Sequence, residues 1–287
     1  MDPTMHADPR PAPRTTASSP TPWIIAGVLL AVVGAGGVYW ALRESAPAPA
    51  ASEPAAAPAT APTAAVPPPI RHPIEQAPVA QPVEPAVPLP ALGDSDALLF
   101  EALAALLADE GWRNLVAGDF LIQRFVATVD NLPRRKLAPH LLPVKPAAGT
   151  LVVEGTPETT TLSAANAARY DGYIRVLQSV DAQRLVALYV RLYPLFQQAY
   201  RELGGPDAYF NDRLVEVIDH LLAAPRVEPP IALVRPKVFW EFADPALEQA
   251  SAGEKLMLRL GPAHAASVRA KLAEVRALLV AQAPAAP

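Results

Sequence analysis

The sequence predicts a mainly α-helical protein with a single-pass transmembrane helix, a proline-rich linker and one compact multi-helix domain that carries a small β-hairpin. Three observations predict this layout: one long uncharged apolar run near the N-terminus, a stretch dominated by proline and alanine after it, and apolar stripes at helical spacing beyond residue 93. The expected segments are a disordered cytoplasmic tail over 1–22, the transmembrane helix over 23–42, a flexible linker over 43–92, the globular helical domain over 93–281 and a disordered tail over 282–287.

The apolar run over 23–42 contains no charged side chain. As an α-helix it would be about 30 Å long, which matches the hydrocarbon core of a bilayer. Arg10 and Arg14 precede it and Arg43 alone follows closely, so the positive-inside rule places the N-terminal tail in the cytoplasm and the domain outside. A cleaved signal peptide is the alternative, but its apolar core is usually only about 7 to 15 residues long. We expect an uncleaved anchor.

Small side chains line one face of this predicted helix, because Gly27, Ala31 and Ala35 recur every four residues. Such a face lets a second helix approach closely, so the anchor would allow a homodimer. Glycine and alanine are also common in membrane helices that do not pair. No ionisable side chain interrupts the run, whereas helices that conduct ions or transduce energy carry one. We therefore expect the helix to position the protein and at most to pair it.

The segment over 43–92 is rich in proline, alanine, valine and threonine, with few charges. Proline-rich chains favour the extended polyproline II conformation at about 3.1 Å per residue, so this segment suits a spacer between membrane and domain. A ligand for an SH3-type domain is the alternative for the proline triplet at 67–69, but basic residues do not flank a regular repeat there. We expect a spacer.

Composition excludes several classes of site. The chain has no cysteine, so it forms no disulfide, thiolate metal site or cysteine nucleophile. It holds 24 lysines and arginines against 28 aspartates and glutamates, which is not the charge balance of a nucleic-acid-binding protein. Phosphate-binding loops, dinucleotide fingerprints and serine-hydrolase elbows are also absent. We expect no cofactor, no metal and no nucleic-acid partner.

Apolar spacing predicts the order of elements in the domain. The first helix follows the potential caps Asp94, Ser95 and Asp96, and Pro194 is expected to kink or divide the longest helix. Two short apolar runs, 151–154 and 159–162, predict a hairpin, while 231–234 predicts a further strand and 238–242 fits either strand or helix. The predicted helices cover about 95–107, 122–132, 181–203, 207–224, 245–260 and 262–279.

Polar residues on otherwise apolar helix faces are the candidate site. Asn211 shares a face with Val215 and Ile218, so its amide is expected to be at least partly buried, either to tie a loop to the core or to contact a ligand. Glu216 and His220 are four residues apart, which allows a metal site, but an ordinary exposed pair fits as well. An enzyme would use a cluster drawn from Arg124, Asp130, Asn131, Asn211, Asp212, Arg213, Glu216, Asp219 and His220.

A basic run follows the second predicted helix, with Arg134, Arg135 and Lys136 in sequence. Three consecutive positive charges would suit an acidic partner, an anionic glycan or a lipid headgroup. A solvated loop without a ligand is the alternative for such a run.

Several segments of the domain together form a recognisable set of motifs: Arg124 to Pro133, Ala168 to Asp171, Tyr193 to Leu195 with Ala199 and Tyr200, Phe210 to Leu214 continuing to Leu222, and Val234 through Pro245 to Pro262. These segments, in this order across 94–280, resemble one bacterial family, the domain of unknown function DUF3014. The layout of an N-terminal anchor with a proline-rich spacer is similar too. The resemblance implies a proteobacterial envelope protein and carries no catalytic residues with it.

The layout and the resemblance together predict an inner-membrane protein with a periplasmic domain. We expect a binding or scaffolding module of the cell envelope, with an envelope protein or glycan as partner, because a long spacer serves a domain that must reach a partner away from the bilayer. An envelope hydrolase or metal-dependent enzyme is the alternative. It would need the polar cluster around 211–220 to converge on one cleft.

Overall fold

The computed structural model describes residues 69–77, 88–107, 110–204 and 208–280. The predicted transmembrane helix over 23–42, its face of Gly27, Ala31 and Ala35, and both predicted tails lie outside these residues. Among the described helices, none combines the length and the apolarity that crossing a membrane would require. The described chain is mainly helical with short antiparallel strand pairs, which confirms the predicted class of the domain.

The helices are α1, Ser95–Leu106; α2, Leu121–Asn131; α3, Asp171–Ser179; α4, Ala182–Glu202; α5, Phe210–Leu222; α6, Pro245–Gln249; α7, Ala252–Arg259; and α8, Gly261–Leu279. Short 3₁₀ helices occupy Ile74–Gln76, Leu92–Asp94, Glu110–Asn114, Pro139–Leu141 and Ala164–Tyr170. The last helix, α8, packs against α3, α4 and α5, while α2 packs against α4 and α5. The main core lies between these helices and includes the rings of Phe125, Phe196 and Phe210.

Two antiparallel strand pairs lie beside the helices. The predicted hairpin is confirmed as β1, Val153–Glu154, with β2, Thr161–Leu162. The second pair joins β3, Leu233–Val234, to β4, Glu241–Phe242, so the ambiguous run at 238–242 ends as a strand. A bridge between Thr161 and Ala232 links the two pairs, which cover a small second core of Ile231, Leu233, Phe242 and Leu258.

Pro194 lies inside α4 and was expected to kink or divide this helix; the helix is not divided, because α4 runs unbroken for 21 residues. A proline removes one backbone hydrogen bond and crowds the preceding turn. Here Leu192 precedes it and Leu195 and Phe196 follow it, all three buried in the main core. Burial of this face outweighs the lost bond, because tertiary packing supplies most of a helix's stability.

The single helix predicted over 245–260 is two helices, α6 and α7. Ser251 separates them: its hydroxyl accepts from the backbone N–H of Glu254, and the Glu254 carboxylate accepts from the backbone N–H of Ser251. This reciprocal capping satisfies backbone donors at the start of α7, so a break at this point is favourable. Sequence periodicity does not detect it, because apolar residues continue across the break.

Three further differences concern an additional helix, the start of α5 and the cap of α2. Helix α3 was not predicted, and α5 begins at Phe210 rather than near Asp207. Asp96 lies in the first turn of α1, but its carboxylate accepts from the backbone N–H groups of Phe120 and Leu121 at 2.7 and 2.9 Å. It therefore caps α2, at a turn where Phe120 adopts a left-handed φ of 53°.

Candidate functional site

Asn211 is the central polar residue of the domain, fully buried in the first turn of α5. Its side-chain oxygen accepts a hydrogen bond from the Tyr189 hydroxyl at 3.3 Å. Its side-chain nitrogen donates to the backbone oxygen of His72 at 2.8 Å. The predicted burial of this amide is confirmed, and its partner across the fold is a residue from the predicted linker.

Residues 69–77, called the strap here, lie against this end of α5. Asp212 accepts two backbone hydrogen bonds from the strap, from the N–H of Arg71 at 2.9 Å and from the N–H of His72 at 2.7 Å. The backbone N–H of Ile74 donates to the Tyr209 hydroxyl at 2.8 Å. With the bond from Asn211, four hydrogen bonds hold the main chain of the strap.

The side chain of Ile74 adds an apolar anchor. It is 6% exposed and belongs to the main core of the domain. Full burial of an isoleucine side chain is worth roughly 1.5–3 kcal/mol. The expected flexible linker over 43–92 therefore does not describe the strap. Sequence reasoning missed it because two isoleucines among prolines, Ile70 and Ile74, are too few to establish a periodicity.

Buried tyrosines pack beside Asn211 and hold it through hydrogen bonds. Burial raises the pKa of Tyr189 well above its ordinary value, and neighbouring Tyr193 and Tyr209 raise it further. The pKa of Tyr193 is also raised, first by burial and then by its hydrogen bond to Tyr209. Both phenols therefore remain protonated near neutral pH and stay hydrogen-bond donors. Tyr193 donates to Gln197 at 2.8 Å.

Gln197 completes this buried network. Its side-chain oxygen accepts from the backbone N–H of Phe210 at 2.8 Å, and its side-chain nitrogen donates to the backbone oxygen of Ala208 at 2.8 Å. These bonds fix the start of α5 on α4. The result is a rigid, uncharged platform that presents Tyr209, Asn211 and Asp212 to the strap.

The next residues of α5 belong to a different cluster. Arg213 bonds the Asp130 carboxylate at 3.1 Å and the Asp130 backbone oxygen at 2.8 Å, which ties α5 to α2. Glu216 pairs with Arg213 at 2.9 Å, and Arg134 pairs with Asp130 at 2.7 Å. Three positions of the predicted polar cluster, Asp130, Arg213 and Glu216, are thus brought together as a structural ion-pair network.

The C-terminal half of α5 pairs with two other helices. Asp219 accepts from the guanidinium of Arg276 on α8, with one contact at 3.0 Å. His220 contacts the Ser251 hydroxyl at 2.8 Å and lies 3.8 Å from Glu254, both at the start of α7. These two residues face different neighbours, so they do not form one site.

The remaining candidates bond locally. Arg124 donates to the carboxylate and the backbone oxygen of Asp119, each at 2.8 Å, and to the backbone oxygen of His140. Asn131 donates to the backbone oxygen of Ala127 at 2.7 Å, within α2. Both roles are structural. Neither residue reaches the strap.

The basic run after α2 is exposed on all three residues, Arg134, Arg135 and Lys136. Its backbone is anchored, because the Arg134 oxygen accepts from Ala252 at 2.7 Å and the Leu132 oxygen accepts from Gly253 at 3.0 Å. Arg134 is already paired with Asp130. The predicted contact with an anionic partner stays a prediction.

The predicted polar cluster therefore divides into several structural contacts and one shared site. Only Asn211 and Asp212 bind a common segment of chain. Within the described ranges, no group of three His, Asp or Glu side chains is placed to hold a metal ion. The convergence on one cleft that an enzyme would need is not observed among these nine residues.

Sequence reasoning missed the residues that complete the site, Tyr209, Tyr189 and Gln197, together with the strap itself. The Asp212 carboxylate and its partner Arg71 are 141 residues apart in sequence. A contact at that separation leaves no trace in local periodicity.

Comparison with known proteins places most of the domain in one family. A family model described as protein of unknown function (DUF3014) matches residues 121–276. No curated protein and no solved structure matches the chain. The matched region runs from the start of α2 into the last turns of α8 and includes Asn211 and Asp212. The chain therefore belongs to the DUF3014 family, as its motifs indicated.

Proposed function

We propose that this protein is a membrane-anchored binding or scaffolding module whose helical domain recognises an extended, proline-containing peptide segment. The observation that carries the proposal is the strap. A carboxylate, a buried amide and a tyrosine hydroxyl bind four of its main-chain groups, while Ile74 fills an apolar position beside them.

This arrangement suits peptide recognition in general. Hydrogen bonds to the main chain supply affinity that is independent of sequence, and side-chain pockets supply specificity. Pro69 precedes the bound residues and Pro73 lies between His72 and Ile74, and both prolines lower the entropy lost when the segment becomes ordered. A partner segment with the same spacing of proline and isoleucine would make the same bonds.

Binding of the strap would also set the length of the free spacer. If the anchor spans 23–42 and the strap stays bound, the free linker is 43–68. At about 3.1 Å per residue it would hold the domain at most about 80 Å from the bilayer. Release of the strap would lengthen the free linker, so peptide binding and reach would be coupled.

Location belongs to the same proposal: an inner-membrane anchor with the N-terminus in the cytoplasm and the domain in the periplasm. The uncharged run over 23–42, preceded by Arg10 and Arg14, supports it. A reporter enzyme that is active only in the periplasm, fused after residue 287, should be active. Activity only from a cytoplasmic reporter at the same position would refute the orientation.

Peptide binding is tested with a labelled peptide of residues 69–77 (PIRHPIEQA) and a variant chain in which these residues are replaced by glycine and serine. Fluorescence anisotropy should show saturable binding to this variant and much weaker binding to the wild-type chain, whose own strap competes. A peptide with aspartate at the Ile74 position is the matched control. It should not bind, because a charge would enter an apolar position.

Two results would count against the proposal. One is the absence of saturable binding to the strap-free variant. The other is equal binding when that variant also carries Asp212→Asn, because an amide in place of this carboxylate loses one of the two acceptors for the strap N–H groups.

A further inference from the structure

A second concave surface, lined by none of the strap-binding residues, lies where α7 meets α8. Its cavity volume is about 490 Å³, within the range of small-molecule sites. The walls come from the loop after α5, the turn between α7 and α8, and the 3₁₀ helix after β2. No strap residue lines it.

Most of the wall is apolar. Leu162, Ile231, Met257 and Leu258 contribute to it, and prolines at 225, 229, 230 and 262 stiffen the rim. A largely apolar cleft with a few polar groups is the usual composition of a site for a small organic molecule. The polar groups of the wall therefore decide the ligand class.

Arginine dominates these polar groups. Arg226, Arg259 and Arg269 line the cleft, against two carboxylates, Glu154 and Glu228. Neither Arg226 nor Arg269 pairs with a carboxylate within the part of the chain that the structure describes. Unpaired guanidinium groups side by side repel each other, and an anion between them relieves that repulsion.

Arg269 is the residue of the cleft whose environment most favours a bound anion. One terminal nitrogen donates to the backbone oxygens of Ala224 and Pro225 at 3.2 and 3.5 Å, which holds the side chain in place. Its Nε is buried and has no hydrogen-bond partner among the described residues. Burial lowers the pKa of this guanidinium, and the nearby charge of Arg226 lowers it further. A buried donor without an acceptor is costly, and a ligand oxygen would remove the cost.

We propose that this cleft binds a small amphiphilic anion, namely a phosphate monoester with an apolar body. The body packs on the apolar wall. The phosphate oxygens accept from Arg226 and Arg269, because guanidinium groups bind phosphate through paired N–H donors. A carboxylate on the same body carries less charge and fewer acceptors, so it binds less tightly.

Phenyl phosphate is the test ligand. Inorganic phosphate, benzoate and phenol are the comparison ligands, and they separate the contribution of the phosphate group from that of the apolar ring. Isothermal titration calorimetry on the full chain at low salt should give a Kd for phenyl phosphate below about 1 mM. Benzoate should bind less tightly, and inorganic phosphate and phenol more weakly again, because each lacks one half of the ligand.

Variants of exposed residues keep the test independent of folding. Arg226 is exposed and has no partner among the described residues, so Arg226→Gln should weaken phenyl phosphate binding about fivefold or more without loss of structure. Glu228→Gln removes a competing negative charge from the wall and should tighten binding about twofold. Arg191→Gln, an exposed arginine on α4 outside the cleft, is the matched control and should change nothing.

Any of three results would overturn the proposal. The first is no saturable binding of phenyl phosphate at concentrations up to about 10 mM. The second is equal affinity in the Arg226→Gln and Arg191→Gln chains. Tighter binding of phenol than of phenyl phosphate would also refute it, because it would show a purely apolar site.

Discussion

The polar residues of α5 form two groups, one that binds the strap and one that pairs with other elements. At the start, Asn211 and Asp212 hold the main chain of the strap above a buried network of tyrosines and a glutamine. Further along, Arg213, Asp219 and His220 pair with side chains of other helices. The sequence presents these five residues as one polar cluster. The difference teaches that composition locates polar residues, whereas the neighbours across the fold decide what they do.

The largest effect on stability is expected at Asn211, in the strap-binding group. Asn211→Ala removes the acceptor of the Tyr189 hydroxyl and the donor to the strap, leaving a buried hydroxyl unpaired. We expect a loss of about 3 kcal/mol in the free energy of unfolding, measured by urea denaturation. In the control, Tyr189→Phe combined with Asn211→Ala should cost less than the sum of the two single changes. Additive costs would show that the hydrogen bond contributes little.

Alkaline pH should also destabilise the domain through the buried tyrosines Tyr189 and Tyr193. In the unfolded chain tyrosine ionises above about pH 10, whereas the raised pKa values of Tyr189 and Tyr193 keep the folded phenols neutral. The two phenols therefore contribute fully to the free energy of unfolding below pH 10. Above pH 10 that contribution falls by about 1.4 kcal/mol per pH unit for each tyrosine. Urea midpoints from pH 9 to 11.5 should decline less steeply in Tyr189→Phe. Parallel curves would contradict the assignment.

The ion pair between Arg213 and Asp130 should respond less. Arg213→Met leaves the Asp130 carboxylate, 14% exposed, without its partner on α5, and we expect a loss of about 1–2 kcal/mol in the free energy of unfolding. Binding of the strap should be unchanged. Glu216→Gln is the control, because that side chain is 54% exposed and its pair should contribute less than about 0.5 kcal/mol. Release of the strap by Arg213→Met would show that the ion pair and the strap-binding residues are coupled.

The smallest effect on stability is expected at Asp212. Asp212→Asn loses one of the two acceptors for the strap, so the amides of Arg71, His72 and Ile74 should exchange with deuterium about tenfold faster. Global unfolding should change by no more than about 0.5 kcal/mol. Unchanged exchange at these amides would mean that the Asp212 carboxylate contributes little to holding the strap. An equal rise in exchange throughout the domain would mean that Asp212 is a general structural residue.

Periodicity predicted most of the helical architecture. The stripes of α1, α2, α4, α5 and α8 were located to within a few residues, as was the β1–β2 hairpin. Where prediction failed, a local rule lost to packing or to a side-chain bond. Pro194 did not divide α4 because both flanks are buried, and the capping of Ser251 with Glu254 split a predicted helix in two.

The candidate site was predictable only in part. The burial of Asn211 followed from its place on an apolar helix face, because that spacing is a property of neighbouring residues. The strap was not predictable, since its partners lie about 140 residues away along the chain. The three arginines of the cleft, at 226, 259 and 269, were missed for the same reason, because they come from separate elements.

The sequence by itself determined the class of the domain, its family and the polar helix that carries Asn211. These depend on short-range spacing and on ordered motifs, which are written in consecutive residues. Only the tertiary structure decided that Asn211 and Asp212 bind the strap while Arg213 binds Asp130. Successive helical residues point about 100° apart, so each meets whichever element the fold places on that side.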